Sequence, residues 1–193
     1  TSLHLATDVS AAGSLHTLDI LINSVNLPHS TDIYHVVVVR DITEERIQKT
    51  KLAWEATHDT LTGILNRLEF ARRLNEHISS GQPGMLLFID IDHFKRINDS
   101  YGHSVGDQML KHLAEGLQRS LGEDALLARF SGDEFLVLLK HISLEEGTRL
   151  TENLLAAIPA MKLLYHGHLF SVTASVGGIY FDADTNLSAE MLI

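Results

Sequence analysis

Two pairs of acidic residues stand where chemistry is possible. Asp90 and Asp92 close the apolar run MLLFIDI (85–91), and Asp133 and Glu134 follow Ser131-Gly132. Side chains two apart on a strand share a face, so Asp90 and Asp92 are expected together. Asp133 is expected to open the next strand, with Glu134 turned to the opposite side. If the two strands are neighbours, Asp90 and Asp133 converge. Two carboxylates ~4 Å apart repel by about 1 kcal/mol in water and about 4 kcal/mol at an effective dielectric of 20. A cation or a shared proton must offset that repulsion. Oxygen ligands with a spare backbone carbonyl suit a hard divalent ion, Mg²⁺ or Mn²⁺. Mg²⁺ keeps positions open for substrate phosphates, as in polymerase-type sites. A single Asp in such a place caps a turn and faces water; four acids at two strand ends favour the cation. Gly132 would let a phosphate approach backbone N–H groups, although a two-residue turn wants glycine anyway. No GxxxxGK[ST] run and no GxGxxG after a strand occur, which excludes P-loop and Rossmann cradles.

The segment FKRINDSYGHSVGD (94–107) joins the strand to the following helix. Lys95 supplies charge for a phosphate. Asn98 and Asp107 offer the donor and acceptor edges that a guanine face needs. Turn and cap duty for Asn98 and Asp99 is the plainer alternative. His166 and His168 in YHGHLF form the best metal-like pair among twelve scattered histidines. A solvated hairpin or loop is the favoured reading there.

The elements that must position these residues follow from pattern. LHTLDILINSVNL (15–27) and DIYHVVVV (32–39) read as strands about a turn at Pro28-His29-Ser30. Forty such residues do not seal a core, so they read as the tail of a larger domain. RDITEERIQKTKLAWEATHD (40–59) is charged and helix-forming, with Glu44 and Glu45 at its start and Ile42, Ile47, Trp54 and Ala56 interspersed. It is read as a linker helix, either half of a short coiled coil or packed on its own domain. Helices are expected over 67–80, with Leu68, Ala71, Leu74 and Ile78 on one stripe, and over 103–122, with Val105, Met109, Leu113 and Leu117. A third is expected over 144–159, with Leu150, Leu154 and Ile158 aligned. Strands are expected over 85–91, 125–130, 133–140 and 170–181. The middle two form a hairpin about Ser131-Gly132. The order β-α-β-β-α-β gives an α/β (α+β) fold with a ferredoxin-like core, its sheet backed by helices on one face.

Composition narrows the partners. The 193 residues carry 15 basic and 25 acidic side chains, a net charge of −10. Nucleic acid is excluded as a general partner because phosphate contacts need clustered Lys and Arg. With no cysteine, disulfides and thiolate metal sites are excluded. No apolar run reaches ~18 residues and no signal peptide is visible. The segment is therefore read as cytoplasmic without membrane contact, compatible with a membrane-tethered parent protein.

Four motifs in order carry a resemblance: Asp59-Thr-Leu-Thr-Gly-Ile-Leu-Asn-Arg67, Asp90-Ile-Asp-His-Phe-Lys-Arg-Ile-Asn-Asp99, Gly102-His-Ser-Val-Gly-Asp107 and Arg129-Phe-Ser-Gly-Asp-Glu-Phe135. Together they resemble the GGDEF family of diguanylate cyclases over about residues 59–181. Residues 1–42, ending VVVVRDIT, resemble the last strands of a PAS sensor domain. The resemblance implies three parts: a PAS-like remnant (1–42), a linker helix (43–58) and a C-terminally truncated GGDEF domain (59–193). It implies a core related to the nucleotidyl cyclase and polymerase palm.

The implied reaction condenses two GTP into cyclic di-GMP and two pyrophosphates, with Mg²⁺ or Mn²⁺, between two facing domains of a homodimer. By the family pattern Asp90, the Ile91 carbonyl and Asp133 hold the metal, and Asp133 also accepts the 3′-hydroxyl proton. Lys95 stabilises phosphate charge and Glu134 assists with a second metal. Asn98, His103 and Asp107 surround guanine, and Phe94 and Gly132 belong to the substrate-binding positions.

Three departures stand out. Ser131 replaces the first glycine of the signature, a change to be felt if φ > 0 is needed there. Gly122 and Ala125 occupy the two positions of the family's Arg-x-x-Asp inhibitory motif, so feedback inhibition at that site is not expected. The family's closing helix, with its basic phosphate contacts, is not seen before Ile193, so this chain is expected to be weakly active or inactive. The competing reading is a non-catalytic GGDEF module that binds GTP and regulates a neighbouring cyclic di-GMP phosphodiesterase domain. A His58-Asp59 phosphohydrolase is rejected, since Asp59 reads better as a cap before Leu61-Thr62-Gly63. In the enzyme reading, a sensor acts by rotating the linker helices.

Overall fold

The computed structural model describes residues 2–11, 13–26, 33–122, 124–183, 185 and 189–192. The turn expected at Pro28-His29-Ser30 lies outside the described residues. The chain divides into two compact units, residues 1–54 and 55–193.

The first unit is an antiparallel sheet in the order β1 (Ser2–Ala11), β2 (Ser14–Asn26), β3 (Ile33–Asp41), followed by α1 (Thr43–Glu55). β1 is not among the expected strands; its polar positions dilute the alternation of Leu3, Leu5 and Val9. On β3 both side-chain sets are apolar and both are open: Val36 and Val38 on one face, Val37 and Val39 on the other, are each about half exposed. Asp41 starts the helix. Its carboxylate accepts from Thr43 N–H at 2.9 Å and from the Thr43 hydroxyl at 2.5 Å. These bonds, with one from His16, hold the Asp41 carboxyl at about 2. No side chain of α1 is buried.

The second unit contains β4 (Leu65–Asn66), α2 (Arg67–Ser79), β5 (Gly84–Ile91), α3 (Phe94–Tyr101), α4 (His103–Leu121), β6 (Ala125–Ser131), β7 (Glu134–Lys140) and α5 (Leu144–Ala157). It continues with β8 (Leu163–Tyr165), β9 (His168–Phe170), β10 (Ala174–Phe181) and α6 (Ala189–Leu192). Its sheet runs β10-β5-β7-β6-β4. β5 is antiparallel to β10 and β7, β6 is antiparallel to β7, and β4 lies parallel to β6 at the edge. Without β4, the four strands follow the ferredoxin-like order that the sequence implied.

Helices cover both faces of this sheet, not one. Leu87 and Ile89 of β5 and Val137 of β7 pack with Leu113, Leu117 and Leu154 from α4 and α5. Leu86 and Leu138, on the alternate positions, pack with Phe70 and Leu74 of α2. The continuous apolar runs needed two covers because both parities of each strand are apolar.

Several local expectations shift. The buried stripe of α2 is Phe70, Leu74 and His77, while Leu68 is 75% exposed. The larger ring takes the core and rotates the helix accordingly. Leu150 of α5 is exposed, while Leu154 and Ile158 are buried. Residues 94–101 form a helix, where only a connecting segment was expected; Phe94 anchors it in the core. The turn between β6 and β7 is Gly132-Asp133, with Ser131 still paired to Glu134. A bulge between Arg129 and Ser131 moves the register by one residue. His166 and Gly167, both at positive φ, close the β8–β9 hairpin, in agreement with the plain reading of YHGHLF. No helix among the described residues is long and apolar enough to cross a membrane.

Candidate active site

The end of β5 brings the acidic residues together. Asp90 lies opposite Glu134 of β7 on one side and Ser175 of β10 on the other. Directly opposed residues share a face of the sheet, so Glu134 stands on the Asp90 side and not away from it, as the sequence reading had it. The β5–β7 register, continuous from Gly84 opposite Lys140 to Asp90 opposite Glu134, accounts for the difference: Asp133 falls in the turn, and the strand begins one residue later. The Asp133 backbone carbonyl accepts from Ile91 N–H at 3.3 Å, which ties the turn to the end of β5. Asp92 lies beyond the strand. It accepts from the hydroxyls of Thr173 at 2.6 Å and Ser175 at 2.8 Å, and these bonds hold its carboxyl below the usual range. Neither Thr173 nor Ser175 carried a sequence signal, because each is an ordinary strand-end hydroxyl until β10 is known to flank β5.

Asp90 behaves differently. Desolvation, then the charges of Asp133, Glu134 and Asp92, push its carboxyl above the ordinary value. Among the described residues no lysine or arginine forms an ion pair with Asp90 or Asp133. Asp90, Glu134 and Ser175 line a groove floored by Phe88 and Phe130. A side-chain cage of three or more His, Asp or Glu does not occur among the described residues. Two carboxylates with a nearby backbone carbonyl are nonetheless a donor set that Mg²⁺ accepts when phosphates and water complete the shell. The uncompensated charge around Asp90 fits a cation.

The turn residues settle the question posed by Ser131. The position at positive φ is Gly132, at +43°; Ser131 is not among the positive-φ residues. The Ser131 hydroxyl donates to Glu134 Oε2 at 2.5 Å. Arg129 clasps the same turn. Its Nε and Nη2 both donate to the Gly132 carbonyl, at 2.9 and 2.7 Å, and its Nη1 reaches Asp59 Oδ1 at 3.2 Å. Asp59 also accepts from the Thr62 N–H and hydroxyl at 2.8 and 2.7 Å, the cap that its sequence context suggested. Against desolvation, these partners keep the Asp59 carboxyl below its ordinary value. Sequence reasoning gave Arg129 no role, since nothing local shows which carbonyl it meets.

The guanine candidates sit on the paired helices α3 and α4. Gly102, at φ +87°, breaks the chain between them. Asn98 on α3 faces Gly106 on α4, and its Oδ1 is buried without a hydrogen-bond partner. Asp107 and His103 are exposed on α4, and Lys95 is exposed on α3. Phe94 is buried beneath them, 7% exposed. Gly122 ends α4 at φ +75°, and Ala125 opens β6.

A palm-like α/β domain with acids at the end of its central strand and in the adjoining hairpin is the architecture of a nucleotidyl cyclase. The chain belongs to the GGDEF family: the profile described as "Diguanylate cyclase, GGDEF domain" matches residues 56–193. It is 31% identical over 185 residues to the probable diguanylate cyclase DgcE of Escherichia coli K12, covering 94% of this chain and 17% of the relative. It is 42% identical over 134 residues to diguanylate cyclase DgcP of Pseudomonas aeruginosa, covering 67% of this chain and 20% of that protein. The chain thus spans only a small part of either relative. Proteins named cyclic di-GMP phosphodiesterases also match, PdeB of Shewanella oneidensis among them. Among solved structures, a sensory box/GGDEF family protein from Caulobacter crescentus CB15 superimposes with a TM-score of 0.64 at 32% identity, over 70% of this chain and 90% of that one.

Proposed function

We propose that the protein is a metal-dependent diguanylate cyclase, joining two GTP into cyclic di-GMP with release of two pyrophosphates. The observation that carries this reading is the grouping of Asp90, Asp133 and Glu134 at the end of β5, where Asp90 and Asp133 form no ion pair with Lys or Arg among the described residues and desolvation, then the neighbouring acids, raises the Asp90 carboxyl. Asp90, Asp133 and the Ile91 carbonyl would hold Mg²⁺ or Mn²⁺, which supplies charge stabilisation to a transferring phosphoryl group. Asp133 accepts the proton of the attacking 3′-hydroxyl, and Glu134 serves beside it. Lys95, exposed at the start of α3, faces phosphate charge. Asn98 and Asp107 read guanine; the buried, unpartnered Oδ1 of Asn98 supports this, since such a group leaves desolvation uncompensated until a donor arrives. His103 lies on the same helix, Phe94 underpins the pocket, and Gly132 gives phosphates room.

The remaining chemistry is positioning: each nucleotide must be held in line with its partner's α-phosphate. One site per domain requires two copies, so the working form is a homodimer. Residues 1–42 act as part of a PAS-like sensor and α1 as the linker that transmits its state. Incubation of an extended, dimerised form of the chain with GTP and Mg²⁺, followed by chromatography, tests the reading. Cyclic di-GMP is expected; nucleotide bound without turnover would overturn it.

That second outcome is the signature of the competing reading, a GTP-binding module that regulates a phosphodiesterase domain in the same protein. The 35% identity over 158 residues to a protein named cyclic di-GMP phosphodiesterase, PdeB, supports this second reading.

A further inference from the structure

The Gly132-Asp133 turn carries a candidate metal ligand but has little with which to fix itself. Gly132 has no side chain and sits at φ +43°, with open space where a Cβ would be. Besides the Ile91 N–H bond to the Asp133 carbonyl, the turn is held by Arg129, which places two donors on the Gly132 carbonyl. Among the described residues the Arg129 guanidinium forms no ion pair with the Asp133 carboxylate. It pairs instead with Asp59, and both side chains are largely buried, at 16% and 23% exposure. The Asp133 carboxylate therefore keeps its lone pairs for another ligand while its backbone is fixed from behind.

Asp59 is itself firmly placed. Its N–H donates to the Ile64 carbonyl at 2.8 Å and its carbonyl accepts from Gly63 at 2.9 Å. The loop it belongs to begins at the last carbonyls of α1. The Asn66 side-chain amide donates to the Glu55 carbonyl at 3.3 Å and the Ala56 carbonyl at 3.0 Å. Asn66 in turn stands beside Arg129 in the β4–β6 register. Hydrogen bonds from Asn66, its β4–β6 pairing with Arg129, and the Arg129 bonds to Gly132 thus connect the end of α1 to the turn.

We propose that Arg129 is a positioning residue: braced by Asp59, it sets the Gly132-Asp133 turn, so that metal affinity at Asp133 depends on the loop following α1. This rests on the metal assignment above. Residues that orient ligands without touching the ion typically change affinity by roughly ten- to a hundredfold when replaced.

The test uses the full chain, Mn²⁺ alone as probe, and electron paramagnetic resonance to count free ion. Asp59→Asn keeps an oxygen for Thr62 but removes the charge that braces Arg129. Arg129→Lys keeps charge but loses the paired donors to the Gly132 carbonyl. Both are expected to weaken Mn²⁺ binding by roughly tenfold or more. The double variant should be no weaker than the worse single one, because the two residues act in series. Mn²⁺ affinity within about twofold of wild type in Asp59→Asn, whatever its melting temperature, would overturn the proposal, since a merely structural role predicts lost stability alone. Should Arg129→Lys fail to fold, Asp59→Asn still decides. Wild type that binds Mn²⁺ while its extended, dimerised form makes no cyclic di-GMP sinks the cyclase reading and leaves this one to be judged by the variants. Wild type that binds no Mn²⁺ in the absence of nucleotide sinks this proposal and leaves the cyclase reading to the turnover assay.

Discussion

Asp90 and Glu134 are cross-strand partners on the β5–β7 ladder, two carboxylates on one face at the end of a central strand. Like charges placed directly opposite destabilise a sheet; desolvation first, then the charges of Asp133 and Glu134, hold the Asp90 carboxyl above its ordinary value. Replacing Asp90 or Asp133 by Asn should lower cyclic di-GMP formation on the order of a hundredfold or more. In metal-free buffer the same Asp90→Asn change should raise folding stability by up to about 1 kcal/mol, because repulsion is relieved. Urea denaturation beside a turnover assay reads both. Activity and stability falling together would mark these acids as structural.

Gly106 sets how close α4 comes to Asn98. A Cβ there would lie 2.0 Å from Asn98 Oδ1 and 3.0 Å from Phe94 Cζ. Gly106→Ala must therefore displace the Asn98 amide. If Asn98 reads the base, KM for GTP should rise about fivefold or more, the worth of one hydrogen bond, with kcat changed less. Steady-state kinetics with GTP measures this, and an unchanged KM would remove Asn98 from the pocket.

His77 gives the fold a pH dependence of definite sign. It is buried on α2, donates from Nε2 to the Pro83 carbonyl at 3.1 Å, and packs edge-on against His141 and Phe181. Burial, with the charges of His141 and Lys140, holds it below the ordinary histidine value. The unfolded chain takes up that proton near pH ~6.5 while the folded chain resists it. Its contribution is complete above that pH and is lost as pH falls toward the folded value. Urea midpoints at pH 7.5, 6.5 and 5.5 should decline toward acid, and His77→Gln should flatten the decline. Identical slopes would assign the acid sensitivity to other groups.

Gly84 opens β5 under that same histidine. A Cβ at this position would lie 2.7 Å from Phe181 Cζ, 3.0 Å from His77 Nε2 and 3.1 Å from the Leu139 carbonyl. The ring has neighbours and the carbonyl belongs to the strand pair, so neither yields freely. Gly84→Ala should cost about 1–3 kcal/mol by overpacking, visible in the denaturant midpoint. A neutral result would show that the strand end shifts without penalty.

What the sequence made readable depended on how local the cause was. The α4 stripe of Val105, Met109, Leu113 and Leu117 is buried as its spacing implied, because one helix and one period decide it. The βαββαβ order was legible for the same reason. The side taken by Glu134 was not, since it follows from where β7 starts and how it registers against β5, a pairing between distant segments that leaves no mark in composition. The stripe of α2 misled because Leu68 has the right spacing but Phe70 has the larger apolar surface. Of the candidate site, the acids and Asn98 were visible as residue types that do chemistry. Arg129, Thr173 and Ser175 were not, because their partners lie 70, 81 and 83 residues away along the chain.

The alternation along β5 has an evolutionary consequence. Leu87 and Ile89 enter one core, Leu86 the other, and Asp90 shares the parity of Leu86 at the tip. Losing or gaining one residue between Gly84 and Asp90 would exchange the two sets and withdraw the carboxylate from Glu134. Descendants of this sequence can swap one aliphatic for another along that stretch, but its length is frozen. Indels should collect instead at places such as the exposed His166-Gly167 tip, where no parity has to be kept.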